Sequence, residues 1–267
     1  MILRVEGLSR SFGGLHAVDD VSLRVDVGDI TGLIGPNGAG KSTTFNLIAG
    51  ALRPDGGRIA FEDRDVTGWP PDRVARLGLI RTYQIPRVFE RMTVLENMLL
   101  CSAERAESRL RPAVVHPFRS RSREKHLAAL AMDELLRLQL DHLAGDFAGV
   151  LSGGQRKLLT FGMALMARPR LLLLDEPAAG VNPTLAGEIA GLIRRLNEGG
   201  MTILVIEHNL AFLERIANRV VVMAGGRVLA EGTLAEIRKN QEVLHAYLGT
   251  TKQRNGRTGS NLIDERG

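Results

Sequence analysis

The plainest chemistry in this sequence lies in Gly35-Pro36-Asn37-Gly38-Ala39-Gly40-Lys41-Ser42-Thr43. These residues fit the phosphate-loop pattern G-x-x-x-x-G-K-[ST]. Gly35, Gly38 and Gly40 let the backbone curl until consecutive N–H groups face one anion. A helix starting behind the loop adds partial positive charge. Lys41 brings a compact charge to the outer phosphates. The Ser42 hydroxyl is an oxygen donor for Mg²⁺, a hard cation that prefers oxygen. The pattern therefore implies a bound nucleoside triphosphate.

Other polar residues end apolar runs, where a core would not want them. They are Gln84, Asp175, Glu176 and His208. In open α/β sheets, ligands lie beyond the carboxyl ends of the strands. Asp175 is then the Mg²⁺ partner, acting through water. Glu176 beside it can orient and deprotonate the attacking water. His208 can latch the γ-phosphate, and Gln84 can sense metal and water. Taken alone, a strand-end Asp-Glu pair is often a helix-capping turn, and a lone His or Gln at a strand end is usually structural. Their company with the glycine loop is what points to chemistry.

A second glycine-rich stretch, Leu151-Ser152-Gly153-Gly154-Gln155, precedes a helix expected over Arg156 to Ala167. Ser152 suits the N-cap, and the glycines leave N–H groups free. This is a second anion-binding helix start, far along the chain from the first. One chain has little use for both on one nucleotide. Two chains arranged head to tail would use both.

The elements that must position these residues follow from pattern. Asp29 to Ile34 reads as a short buried strand, and Thr43 to Ala49 as a helix stopped by Gly50. Ile2 to Leu8 and Val18 to Val25 alternate like half-buried antiparallel strands, with a turn at Phe12-Gly13-Gly14. Pro54-Asp55-Gly56-Gly57 turns the chain into a strand over Arg58 to Phe61. Pro70-Pro71-Asp72 opens a short helix. Leu77 to Tyr83 reads as a buried strand ending at Gln84. Thr93 to Ser102 and Glu124 to Leu140 show helical spacing, with Val94, Leu95, Met98 and Leu99 sharing one face, as do Leu127, Leu130, Leu135 and Leu138. Arg109 to Ser122 is expected to be irregular. Leu171 to Leu174 is a continuous apolar run, as in a strand buried on both faces. A helix over Pro183 to Asn197, a strand over Thr202 to Ile206 and a hairpin of Val220 to Met223 with Arg227 to Ala230 follow. Leu234 to Lys239 and Glu242 to Leu248 read as closing helices.

Composition narrows the function classes. The chain has 267 residues, 44% of them hydrophobic, so a sizeable core is possible. Net charge is +5, but the basic residues are scattered, apart from Arg105 to Lys125 with Arg119, Arg121 and Arg123 at its centre. Only 4% of residues are aromatic, so no base-stacking platform is indicated and no nucleic acid is expected. Cys101 is the one cysteine, which excludes an internal disulfide framework and suits a reducing compartment. No signal peptide is read at the N-terminus, and no apolar run approaches the roughly 18 residues of a membrane helix.

The order of phosphate loop, Gln84, Leu151-Ser152-Gly153-Gly154-Gln155, Leu171 to Glu176 and His208 resembles the ATP-binding-cassette (ABC) ATPases. The resemblance spans residues 2 to about 249. It implies a P-loop NTPase core, an α/β fold with a RecA-like mixed sheet, joined by an N-terminal antiparallel β subdomain and an α-helical subdomain. One domain over 1–249 is expected, with 1–90 and 166–235 as core and β subdomain, 91–165 as helical subdomain, 236–249 as C-terminal helices and 250–267 as a disordered tail. ATP with Mg²⁺ would lie between one subunit's loop and the Ser152, Gly153, Gly154 and Gln155 of a second cassette, identical or not. Phe12 falls where the family stacks an aromatic residue on adenine. Read alone, Phe12 fits the core equally.

A closer resemblance rests on Phe12-Gly13-Gly14-Leu15, Arg81-Thr82-Tyr83-Gln84, Met92 to Asn97, Pro177 to Pro183 and the ending around Glu236-Ile237-Arg238 and Ala246 to Gly249. These look like the ATPases of branched-chain amino-acid importers, and the helical insert suits the larger of two such subunits. Asn182 stands where most cassettes carry aspartate. The resemblance implies an ATP hydrolase on the cytoplasmic face of the membrane, held by permease subunits near Ile85 to Glu90 and served by a solute-binding protein. A urea or short-amide importer, a soluble non-transport cassette and a non-hydrolysing regulatory cassette are the alternatives. The intact Lys41, Asp175, Glu176 and His208 argue against the last.

Overall fold

Leu171 to Leu174 offer no polar side chain to turn toward water, so both faces of their strand must be covered. The computed structural model, which describes residues 1–82, 88–102 and 117–246 (for 117–122 the backbone alone), meets that demand. A six-stranded sheet runs in the order β10 (Arg227–Gly232), β9 (Arg219–Ala224), β3 (Ile30–Ile34), β8 (Thr202–Ile206), β7 (Leu171–Asp175), β6 (Leu79–Arg81). All neighbours are parallel except the β9/β10 hairpin. Alternate side chains divide between two cores. Leu172, Leu174, Ile203, Val205, Val220 and Val222 face one. Leu171, Leu173, Leu204, Ile206, Val221 and Met223 face the other. Fully burying such a side chain contributes about 1.5–3 kcal/mol, so the sheet is a rigid base for the loops at its carboxyl edge.

The second core is closed by a four-stranded antiparallel sheet in the order β2 (Leu15–Val25), β1 (Leu3–Phe12), β4 (Gly56–Phe61), β5 (Arg64–Asp65). Strands β1 and β2 run longer than their strict alternation, because register shifts between Val5 and Ser11 let the hairpin continue. Gly13 and Gly14, at φ +51° and +86°, make its turn. Helix α1 (Lys41–Ile48) packs into the same core through Phe45, Leu47 and Ile48.

The next helix packs into the second core through Val74, and the helices after it pack into the first. Helix α2 (Pro71–Arg76) leads into β6, which is shorter than the strand expected from Leu77. Leu77 still belongs to the end of α2, and Gly78 turns with φ +97°. Tyr83 and Gln84 lie outside the described residues. Helix α3 (Val94–Leu100) buries Val94 and Met98 fully. Helix α4 (Pro117–Arg137) begins inside the stretch expected to be irregular. The reason is Pro117: a proline's fixed φ suits a first helical position, where its missing N–H costs nothing. Helix α5 (Gly153–Met166) also starts earlier than expected, because Ser152 caps it. Helices α6 (Pro183–Glu198), α7 (Leu210–Ile216) and α8 (Leu234–Ile237) follow, and residues 241–246 are helical. The tail expected to be disordered lies outside the described residues.

Candidate active site

Strand β3 delivers the chain into the phosphate loop, and α1 leaves it. Gly35 and Gly40 are at φ +150° and +97°, and an added Cβ would strike the carbonyl oxygens of Met223 and Ala17 respectively. Gly38, at φ +82°, faces open space. So packing requires glycine at 35 and 40, whereas the room above Gly38 is available to a ligand. Helix α1 starts at Gly40 with no side-chain cap and no acid in its first turn. Its first amides are orphan donors, which is the arrangement a phosphate needs. The Lys41 ammonium donates to the carbonyls of Gly35 (2.7 Å) and Pro36 (2.9 Å), and so lies along the loop. Burial pulls its pKa below the ordinary lysine value, while Glu176 and Asp175 act in the opposite direction.

The acids that oppose Lys41 come from the end of β7. Asp175 closes the strand, and Glu176 follows with φ +49°, a left-handed conformation rare for a side-chain-bearing residue. Its amide still bonds Ile206 O at 3.0 Å, so the strain sits where β7 parts from β8. His208 comes from the loop after β8. Its Nδ1 lies 3.8 Å from Glu176 Oε1 and 4.0 Å from Glu207 Oε2. The fold thus gathers Lys41, Asp175, Glu176 and His208 at one edge of one sheet. Gln84, expected there too, lies outside the described residues.

Ser42 is exposed at the start of α1, and Asp175 commits one carboxylate oxygen to Arg81. A free hydroxyl and a carboxylate are hard donors that fit Mg²⁺. Among the described residues no three His, Cys, Asp or Glu side chains form a cage. Mg²⁺ needs none, since phosphates and water supply its other oxygens.

Ser152 and Gln155 form a capping box: Gln155 N donates to Ser152 Oγ (3.2 Å), and Ser152 N donates to Gln155 Oε1 (2.9 Å). The Ser152 hydroxyl proton stays available. A Cβ on Gly153 would meet nothing within 4 Å, whereas one on Gly154 would strike Leu185. Within one chain, then, a side chain at 154 would have to displace the Leu185 methyl, and one at 153 would displace nothing. Phe12 is 43% exposed, which removes the core reading of that ring. The Arg10 guanidinium carbon stands 5.0 Å from its centroid. Asn182 accepts from Leu185 N at 2.8 Å and caps α6, so the amide does the structural work of an aspartate there.

Some residues of the site escaped the sequence reading. Arg81 bridges Asp175 Oδ2 (2.8 Å) and Asn46 Oδ1 (2.6 Å). Glu207 is fully buried and accepts from the amides of Ala178 (2.7 Å), His208 (3.2 Å) and Asn209 (3.3 Å). Lys157 reaches the carbonyls of Glu176 and Ala179. A charged residue directly after the four-residue apolar run Ile203 to Ile206, as Glu207 is, is the available signal.

Comparison with known proteins agrees with this geometry. Residues 18–179 match the family model described as ABC transporter. Residues 227–252 match that of the branched-chain amino acid ATP-binding cassette transporter. The probable branched-chain amino acid transport ATP-binding protein LivG of Archaeoglobus fulgidus is 40% identical over 250 residues, 93% of this chain and 95% of that one. The high-affinity branched-chain amino acid transport ATP-binding protein BraF of Pseudomonas aeruginosa is 39% identical over 249 residues, 93% and 98% of the two chains. A crystal structure of the ADP conformation of an ATP-binding cassette of an ABC transporter matches with a TM-score of 0.80 at 38% identity, covering 93% of this chain and 98% of that one. Phosphate loop, acidic strand end and capped glycine helix thus sit on a shared fold, and the chain belongs to the ATP-binding cassettes of the ABC transporter family.

Proposed function

We propose that this chain binds ATP with Mg²⁺, closes on a second cassette, and hydrolyses the nucleotide to drive uptake of branched-chain or other apolar amino acids. The observation that carries the chemistry is the gathering of Lys41, Asp175, Glu176 and His208 beside an uncapped helix start. What supports the solute class is the match of residues 227–252 and the names of the relatives.

Mg²⁺, held by Ser42 and Asp175 with Gln84 near it, would neutralise charge on the phosphates. The loop from Gly35 to Thr43, with Pro36, Asn37 and Ala39 between its glycines, wraps the phosphates through its amides. Lys41 turns its ammonium from the loop carbonyls to the outer phosphates. Phe12 stacks on the base. Glu176 takes a proton from the attacking water, and His208 holds the γ-phosphate. Ser152, Gly153, Gly154 and Gln155 of the opposite cassette complete the enclosure. Because their helix start carries no acid, phosphate is not repelled.

Among the described residues no helix is long and apolar enough to cross a membrane. Attachment then comes through permease subunits on the cytoplasmic side. Phe89, Phe147 and Val150 are 57%, 58% and 74% exposed. Their segments are joined by the Gly149 N to Glu90 O bond of 3.1 Å. This apolar patch supports docking near Ile85 to Glu90, where 88–90 are described. The helices of 91–165 would move against the core of 1–90 and 166–235.

The test is labelled leucine uptake in cells lacking this subunit, complemented with wild type or Glu176→Gln, with urea uptake in parallel. Restoration of leucine uptake by wild type alone is expected. Loss of urea uptake with leucine unaffected would move the reading to an amide importer, and no change in either would remove transport from it. In the purified chain, Glu176→Gln should bind ATP normally and turn over about 10²–10⁴-fold more slowly. Lys41→Ala should fail to bind nucleotide in the same titration.

A further inference from the structure

Three pieces of backbone meet at one half-buried lysine. Lys157 lies just over one turn into α5, and its ammonium donates to Ala179 O (2.8 Å) and Glu176 O (3.4 Å). Below the same turn, Glu207 accepts from Ala178 N and from the amides of His208 and Asn209. Burial lowers the Lys157 pKa, and the fields of Glu207 and then Glu176 oppose that shift. The turn held between them is strained, since Glu176 is left-handed at φ +49°. Such a residue keeps its conformation only when its surroundings over-determine it. Here a cation on one side and a carboxylate on the other supply that constraint.

We propose that Lys157 is a positioning residue that, with Glu207, fixes the Glu176–Ala179 turn and ties it to the helix whose start faces the opposite cassette's nucleotide. The inference rests on the ATPase reading above. The hydrogen bonds of Lys157 go to the carbonyls of the turn. It connects the two half-sites of one chain: Ser152 and Gly153 serve the opposite ATP, and Glu176 serves its own. A shift of α5 therefore moves the carbonyl of the catalytic glutamate directly.

The experiment compares the purified full chain as wild type, Lys157→Met, Lys157→Arg, Glu176→Gln and the Lys157→Met/Glu176→Gln double variant. ATP turnover, single-turnover hydrolysis, fluorescent-nucleotide affinity and melting temperature are measured for each. A misplaced reacting group costs on the order of 10²-fold, so Lys157→Met should lose about a hundredfold in kcat. Its nucleotide affinity should stay within about twofold of wild type. Lys157→Arg should recover most of the rate, because a guanidinium can donate to the same carbonyls. The double variant should be no slower than Glu176→Gln alone, since both changes act on one group. Wild-type kcat in Lys157→Met, no rescue by arginine, or a multiplicative loss in the double variant would each overturn the proposal. If Lys157→Met fails to fold, Lys157→Gln, which keeps one donor, should show an intermediate kcat, and a wild-type rate there has the same overturning force. A wild type without turnover would sink the ATPase reading itself, whereas an active wild type with an indifferent lysine series sinks this inference alone.

Discussion

Asp175 is held by a residue whose role no local pattern announces. Arg81 binds it at 2.8 Å, binds Asn46 of α1 at 2.6 Å, and sets its guanidinium carbon 5.8 Å from the Phe45 ring centroid. The two side chains of the ion pair are 9% and 11% exposed. Removing one partner of a buried pair strands the other charge in low dielectric, which costs about 3–5 kcal/mol. Arg81→Met should therefore lower the unfolding free energy by roughly that amount in urea titration. Arg81→Lys should recover less than half of the loss, because an ammonium is a point donor and cannot span two acceptors in fixed geometry. An unchanged urea midpoint in Arg81→Met would mean that the pair does not hold the strand end. The physical consequence is orientation: Arg81 fixes one oxygen of Asp175, and with it the end of the strand.

At the scale of elements, helix starts divide by what stands before them. Helices α3, α5 and α8 open with capping boxes, Thr93/Glu96, Ser152/Gln155 and Thr233/Glu236. Helix α1 opens on Gly40 with neither cap nor acid. The box at α5 uses a neutral glutamine where the other two use glutamate. That choice keeps the cap while keeping negative charge away from the place where an opposite phosphate would lie. The glutamate boxes are pH-sensitive. The Thr93 amide, and then its hydroxyl, hold the Glu96 carboxyl below its ordinary pKa. A carboxylate whose folded pKa is depressed stabilises above its unfolded pKa, about 4.3, and loses that contribution as pH falls through the folded value. The melting-temperature gap between wild type and Glu96→Ala should thus be widest above about pH 5 and close as pH falls below 4. A gap that widens with acid would reverse the sign and contradict the charge-assisted box.

For the whole molecule, what the sequence announced and what it hid have one physical division. The sheet is legible because strands buried on both faces must read as unbroken apolar runs, as Leu171 to Leu174 and Ile203 to Ile206 do. The phosphate loop was legible because its glycines are fixed by backbone geometry within a few residues. Arg81 to Asp175 spans 94 residues and Ala178 to Glu207 spans 29, so these bonds exist only once the sheet is assembled. No spacing in the chain could have shown them. The start of α4 is a local matter: Pro117 opens the helix within the stretch expected to be irregular. Gly153 combines both kinds of information. It was conspicuous in the sequence, yet the folded chain gives no reason for glycine there, since a side chain would meet open space. The second cassette proposed above would supply one. Gly153→Asp tests this without harming the fold, because an acid in a first helical turn stabilises the helix by about 0.3–1 kcal/mol. In a Glu176→Gln background with ATP, size-exclusion chromatography should show a dimer, and adding Gly153→Asp should return it to a monomer. That monomer should still bind ATP and should melt no lower than its parent. If the doubly substituted chain still dimerises with ATP, the start of α5 does not face the opposite nucleotide. If it also loses ATP binding as a monomer, Gly153 serves its own chain's site, and the head-to-tail arrangement has to be replaced.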